Sequence, residues 1–207
     1  MDTLNRVFEE DPTKAPKIVF VMEGTFHGNN TLNNTEVNIN YPLMMIGAGQ
    51  NHTILWNHHL FIQGRQEEGK TVILKDFTIK GSSGDGLYGE NGLSFLCDRM
   101  TFTQCGKNGV KVNETQGRLI NCVITECGNS GINCSFNGII EVEGNQTKVD
   151  GNVINDFDID HGLNVIFASS SIRLLLPLTK ELISTNNQGG GDYGGDGTIM
   201  VVEAFDE

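Results

Sequence analysis

Three stretches in the middle of the chain carry one pattern of apolar and polar positions: TVILKDFTIKGSSGDGL from Thr71, FLCDRMTFTQCGKNGV from Phe95 and RLINCVITECGNSGI from Arg118. Their turn glycines, Gly86, Gly109 and Gly131, fall 23 and 22 residues apart (109 − 86 and 131 − 109). In that register Leu74, Cys97 and Leu119 coincide, as do Phe77, Met100 and Cys122, then Ile79, Phe102 and Ile124, and finally Leu87, Val110 and Ile132. Successive strand residues point to opposite faces, so these positions face one interior and stack like on like from unit to unit. A period of this size marks a repeat architecture whose units cannot bury their apolar faces alone. SSGDG, CGKNG and CGNSG supply turns, and no stretch has the length or periodicity of a packed helix. The leucine and asparagine framework of a leucine-rich repeat is missing, and so is the six-residue apolar period of a left-handed hexapeptide helix. The pattern predicts an all-β chain: a single-stranded, right-handed parallel β-helix.

The flanks extend this reading to one domain over residues 1–207, with an N-terminal cap at 1–15, rungs at 16–165 and irregular C-terminal rungs and cap at 166–207. Asp2 to Glu10 has the spacing of a short amphipathic capping helix through Leu4, Val7 and Phe8, ended by Pro12. PKIVFVMEGTFHGN and VNINYPLMMIGAGQNHTILW resemble the opening rungs of pectin-lyase-like proteins, through Gly24, Thr25 and Phe26, then Val37, Ile39, Pro42, Leu43, Ile46, Gly47 and Gly49. That resemblance covers residues 16 to 165 and implies the fold, not an activity. Further on, TKELISTNNQGGGDYGG resembles the closing segment of uncharacterised β-helix domain proteins of marine microalgae and their viruses. Here the repeat decays, leaving two apolar strands, Ile172 to Leu176 and Thr198 to Val202, around a glycine-rich loop.

Composition narrows the function classes. Of 207 residues, 38% are hydrophobic and 19% charged, which is the balance of a folded chain. With 14 basic against 26 acidic residues, net −12, the chain lacks the cationic surface on which nucleic-acid affinity rests. No apolar run is long enough to span a membrane, and the start MDTLNRVFEE is acidic where a signal peptide is basic and then apolar, so a soluble chain without a signal peptide is expected. Five cysteines, Cys97, Cys105, Cys122, Cys127 and Cys134, contain no CxxC pair and are expected to be buried, mostly reduced thiols. Cys105 and Cys127 fall in equivalent places on adjacent rungs, within reach of a disulfide. Sequons begin at Asn29, Asn33, Asn51, Asn113, Asn133 and Asn145.

The strongest chemical cluster is Asn155-Asp-Phe-Asp-Ile-Asp-His161-Gly162. In an extended strand, Asp156, Asp158 and Asp160 line one outer face about 7 Å apart, with His161 at the end. Such a row could bind Ca²⁺ or supply a glycosidase acid and base; a solvated strand face is the plainer expectation. The His161-Gly162 pair is similar to part of the polygalacturonase G-H-G, with Arg173 near a poor R-I-K match, but the upstream N-T-D and D-D motifs are missing. Asp76, Asp98, Arg99 and Arg118 could form a Ca²⁺ and arginine face like that of pectate lyases, which share the resembled fold. GGGDYGGDG at 189–197 has one irregular copy of a calcium-repeat pattern and reads as a loop, and Gly47-Ala-Gly49 reads as a turn. His27, His52, His58 and His59 form no ligand set on this spacing. The expected function is therefore a non-catalytic structural or binding module that presents a flat polar face to a glycan or protein partner, with homo-oligomerisation through open ends or flat faces as a further expectation; the Leu174 to Leu178 segment could be a patch for such contact, though a final core strand is the plainer expectation. A carbohydrate-active enzyme (lyase, hydrolase or epimerase) is the alternative reading, with Ca²⁺ as its implied cofactor.

Overall fold

The computed structural model describes residues 11, 14–28, 35–65, 70–155 and 158–203. They wind through about seven turns of a parallel β-solenoid. Each complete turn gives one strand to each of three sheets, an eight-stranded sheet A and seven-stranded sheets B and C, in which every pairing is parallel. The third turn shows the plan: Thr71–Lys75 lies in sheet A, Thr78–Lys80 in sheet B and Leu87–Glu90 in sheet C. The apolar register predicted from the repeat is the observed one. Leu74 pairs with Cys97 and Cys97 with Leu119 in sheet A, Ile79 with Phe102 and Phe102 with Ile124 in sheet B, and Leu87 with Val110 and Val110 with Ile132 in sheet C. All nine are fully buried, as are Phe77, Met100 and Cys122 at the corner between sheets A and B.

The corners depend on residues in the left-handed backbone region. Asp76, Arg99 and Asn121 (φ 59°, 50° and 51°) turn the chain from sheet A to sheet B. Their amides continue the ladder through the bend by donating to the carbonyls of Asp98, Ile120 and Glu143. Gln104 and Glu126 play this part from sheet B to sheet C, and Glu114, Phe136 and Phe167 from sheet C to sheet A. Gly86, Gly109 and Gly131 answer a different need, since none has a positive φ. Each sits under the carbonyl of the next: a Cβ on Gly86, Gly109 or Gly131 would stand 2.7, 2.8 or 2.9 Å from the oxygen of Gly109, Gly131 or Gly162. The stack leaves no room for a methyl group.

The same three sheets continue into the segment where the sequence period decays, through Leu163–Val165, Ser171–Leu175, Ser184–Thr185, Tyr193–Gly194 and Thr198–Val202. The period decays because the connection from sheet B to sheet C, which spans 81–86, 104–109 and 126–131 in the preceding turns, lengthens to 151–162. A helical turn, Lys180–Ile183, capped by Thr179, adds a further departure. The predicted N-terminal helix at Asp2 to Glu10 lies outside the described residues. Among the described residues no helix is long and apolar enough to cross a membrane.

Candidate functional site

The outward face of sheet C holds the densest polar and aromatic array. Alternation along its strands turns Phe61, Tyr88, Lys111, Asn133 and Asn164 outward in one axial column, with Gln63, Glu90, Asn113 and Ser135 in the column beside it. Phe61 stacks on Tyr88 across two turns, with ring centroids 5.4 Å apart, and Lys111 places its ammonium 5.1 Å from the Tyr88 centroid on the other side. His59 stacks on Phe61 at 6.3 Å and is fixed by a contact between its Nδ1 and the Asp85 carbonyl at 2.7 Å. The Tyr88 hydroxyl donates to Glu90 Oε2 (2.6 Å) and accepts from Asn113 Nδ2 (2.7 Å), and Ser135 donates to Asn113 Oδ1. Burial, followed by the Glu90 hydrogen bond and charge, pushes the Tyr88 phenol up to about 12. One hydrogen-bonded ladder thus joins three successive turns, with Tyr88, Glu90 and Asn113 partly exposed and Ser135 buried.

Where this face reaches its corner with sheet A, Phe136 and Phe167 stand on successive turns with centroids 4.6 Å apart and an interplanar angle of 43°. They are 52% and 44% exposed. Both have positive φ, 50° and 71°. At its far end the face is covered by the long 151–162 connection: Asn164, almost fully buried, donates to the Ile159 carbonyl and to Ser130 Oγ.

Among its described residues, the acidic cluster nominated by sequence is not an extended strand. The 151–162 connection is tied to the loop of the preceding turn by Val153 and Asn155 amides donating to the carbonyls of Asn129 and Gly128. With no neighbouring strand to hold it flat, its described residues form turns and irregular backbone. Asp156 lies outside the described residues. Asp158 is exposed, whereas Asp160 turns inward, only 7% exposed, and accepts from the buried Ser130 hydroxyl at 2.9 Å. Ile159, which strand alternation would turn to the face opposite the carboxylates, is 80% exposed. Asp160 instead closes a polar ladder in this corner: Asn108 donates to Asp85, Ser130 donates its amide to Asn108 Oδ1, and the Ser130 hydroxyl reaches Asp160. His161 is packed against the glycine-rich loop, where a Cβ on Gly190 or Gly194 would overlap the imidazole ring. The two C-terminal motifs therefore meet, as packing partners.

The second nominated group assembles in part. Arg99 makes a two-point contact with Asp76 (2.7 and 2.9 Å) and reaches Asp98 at 3.1 Å, while Lys75 reaches Asp98 at 2.9 Å. Arg118 pairs elsewhere, with Glu143 at 2.6 Å, and Arg173 pairs with Glu141 at 3.5 Å. Among the described residues, no group of three or more His, Cys, Asp and Glu side chains is placed to hold a metal ion. All five cysteines are buried. Contact with the Cys127 thiol, then burial, pushes Cys105 well above the ordinary thiol range. Burial pushes Cys122 and Cys134 up to about 12. Of the sequon asparagines, Asn51 and Asn145 are exposed, Asn113 is bonded to Tyr88 and Asn133 is buried; Asn29 and Asn33 lie outside the described residues.

No protein-family model matches the chain, and none of the curated proteins or solved structures matches it.

Sequence reasoning missed the site on sheet C. Its columns follow from the same alternation that gives the core, so Tyr88, Lys111 and Asn133 could have been aligned at once. The Phe136 and Phe167 pair could not, because the long connection between their turns breaks the period.

Proposed function

We propose that the protein is a non-catalytic binding module whose sheet C face takes a glycan lying along the solenoid axis. The observation that carries this reading is the ladder Glu90, Tyr88, Asn113 and Ser135, which sets donors and acceptors at successive turns about 4.8 Å apart beside aromatic ring edges. A polysaccharide repeats its hydroxyls along its length, and a repeating face can meet that repeat many times with one kind of contact. Because the side chains already hold one another, little rotamer freedom is lost on binding. Asp76, Asp98 and Arg99 are engaged in ion pairs with one another, and Asp160 serves the fold, which supports a binding role over an enzymatic one.

The test is retention on immobilised neutral and acidic polysaccharides, with and without Ca²⁺, for the wild type and for a Tyr88→Ala/Asn113→Ala variant. Wild-type retention, loss in the variant and no shortening of the polymer are expected. Turnover of any polysaccharide, or equal retention of the variant, would overturn the reading.

A further inference from the structure

We infer that Phe136 and Phe167 form a stacking subsite for the pyranose rings of a neutral glycan, at the edge of the sheet C face. The inference rests on the glycan-binding reading above and extends it to the residues that set affinity and ligand class.

Three observations converge on this pair. Both rings are about half exposed and lie in contact, so together they present an apolar surface wider than either ring alone. Both side chains occupy left-handed backbone positions, which asparagine and glycine adopt easily and bulky residues rarely do. The corresponding corner residue one turn earlier is Glu114, also left-handed, so the corner itself does not call for an aromatic side chain. Their placement gives the third point. Phe136 directly follows Ser135, the last member of the hydrogen-bonded ladder, so the Phe136 and Phe167 pair stands in the column beside the one formed by Glu90, Asn113 and Ser135.

A pyranose ring has this mixed character. Its axial C–H face is apolar and packs on an aromatic ring, while its equatorial hydroxyls need hydrogen-bond partners at the side. Phe136 and Phe167 supply the first, and the ladder supplies the second. The charge of the surface selects among sugars. Glu90 lies on the track, Glu114 lies at its edge and the chain carries a net charge of −12, so a uronate polymer meets repulsion that a neutral one does not. A protein partner would also bury two exposed phenyl rings, but it would not require a ladder of hydroxyl-matching groups in the column beside them.

The experiment is a calorimetric titration of wild type, Phe136→Asn, Phe167→Asn and the double variant with a panel of soluble neutral and uronate oligosaccharides, beside thermal melts of each protein. Asparagine suits the left-handed backbone, so the variants are expected to melt at or above the wild-type temperature. Neutral-oligosaccharide binding is expected to weaken at least about tenfold in each single variant, equivalent to about 1.4 kcal/mol, and to vanish in the double variant. Wild-type binding that persists unchanged in the double variant overturns the subsite while leaving the binding function standing. If the wild type binds no member of the panel, both proposals fall together. If the variants keep sugar binding but lose self-association seen by sedimentation, the pair is a protein contact and the inference is wrong.

Discussion

At the scale of single residues, the fold depends on positions where one atom more or less is decisive. Gly109 faces the Ile124 side chain and the Gly131 carbonyl with no space for a Cβ. Gly109→Ala should lower stability by about 1–3 kcal/mol through overpacking, read as a lowered midpoint in chemical denaturation with an unchanged slope. Ser130 is fully buried, donates to Asp160 and accepts from the His161 amide and Asn164. Ser130→Ala strands a buried carboxylate and two donors, and should cost about 2 kcal/mol or more in the same assay. Tyr88 gives a pH signature. Its folded value of about 12 lies above the value near 10 of an unfolded tyrosine, so its contribution to stability is complete below pH 10 and is lost as pH rises through about 12. Ultraviolet titration should show a phenolate step near pH 12 that disappears in Tyr88→Phe and moves down in Glu90→Gln. A step that stays in place in Glu90→Gln would refute the ladder.

At the scale of elements, the legible and the illegible parts of the sequence differ by one physical condition. Where each strand has a neighbour at a constant interval, as in Phe95, Gly117 and Ile140 of sheet A, alternation alone fixes which side chains enter the core. The register at Leu74, Ile79 and Leu87 was readable for that reason. The segment 151–162 has carboxylates at strand spacing but no strand partner, so alternation gave the wrong orientation for Asp160 and Ile159. Its shape is set instead by Asn129, Gly128 and Ser130 of the preceding loop, contacts that no local pattern announces. The glycine-rich loop is similar: its spacing resembles a calcium repeat, whereas Gly190 and Gly194 are there because the His161 ring lies against them. The corner aromatics were hidden for a third reason. Phe136 and Phe167 look like ordinary apolar residues until the lengthened connection is known.

At the scale of the whole molecule, a three-sheet solenoid exposes three long flat faces, and chemistry is distributed unequally among them. Sheet A has an outer surface of paired charges, Lys75 with Asp98, Arg118 with Glu143 and Glu141 with Arg173. Sheet C instead collects the ring column, the hydrogen-bonded ladder and the exposed phenyl pair. On the proposed reading, the net charge of −12 disfavours polyanions and favours neutral, hydroxyl-rich polymers as ligands of this face. The most direct test is one calorimetric titration of the wild-type protein with a soluble neutral polysaccharide, followed by chain-length analysis of the recovered polymer. Saturable binding with the polymer recovered at its original length is the predicted result; no heat of binding across the neutral panel, or recovery of shortened chains, would contradict the account.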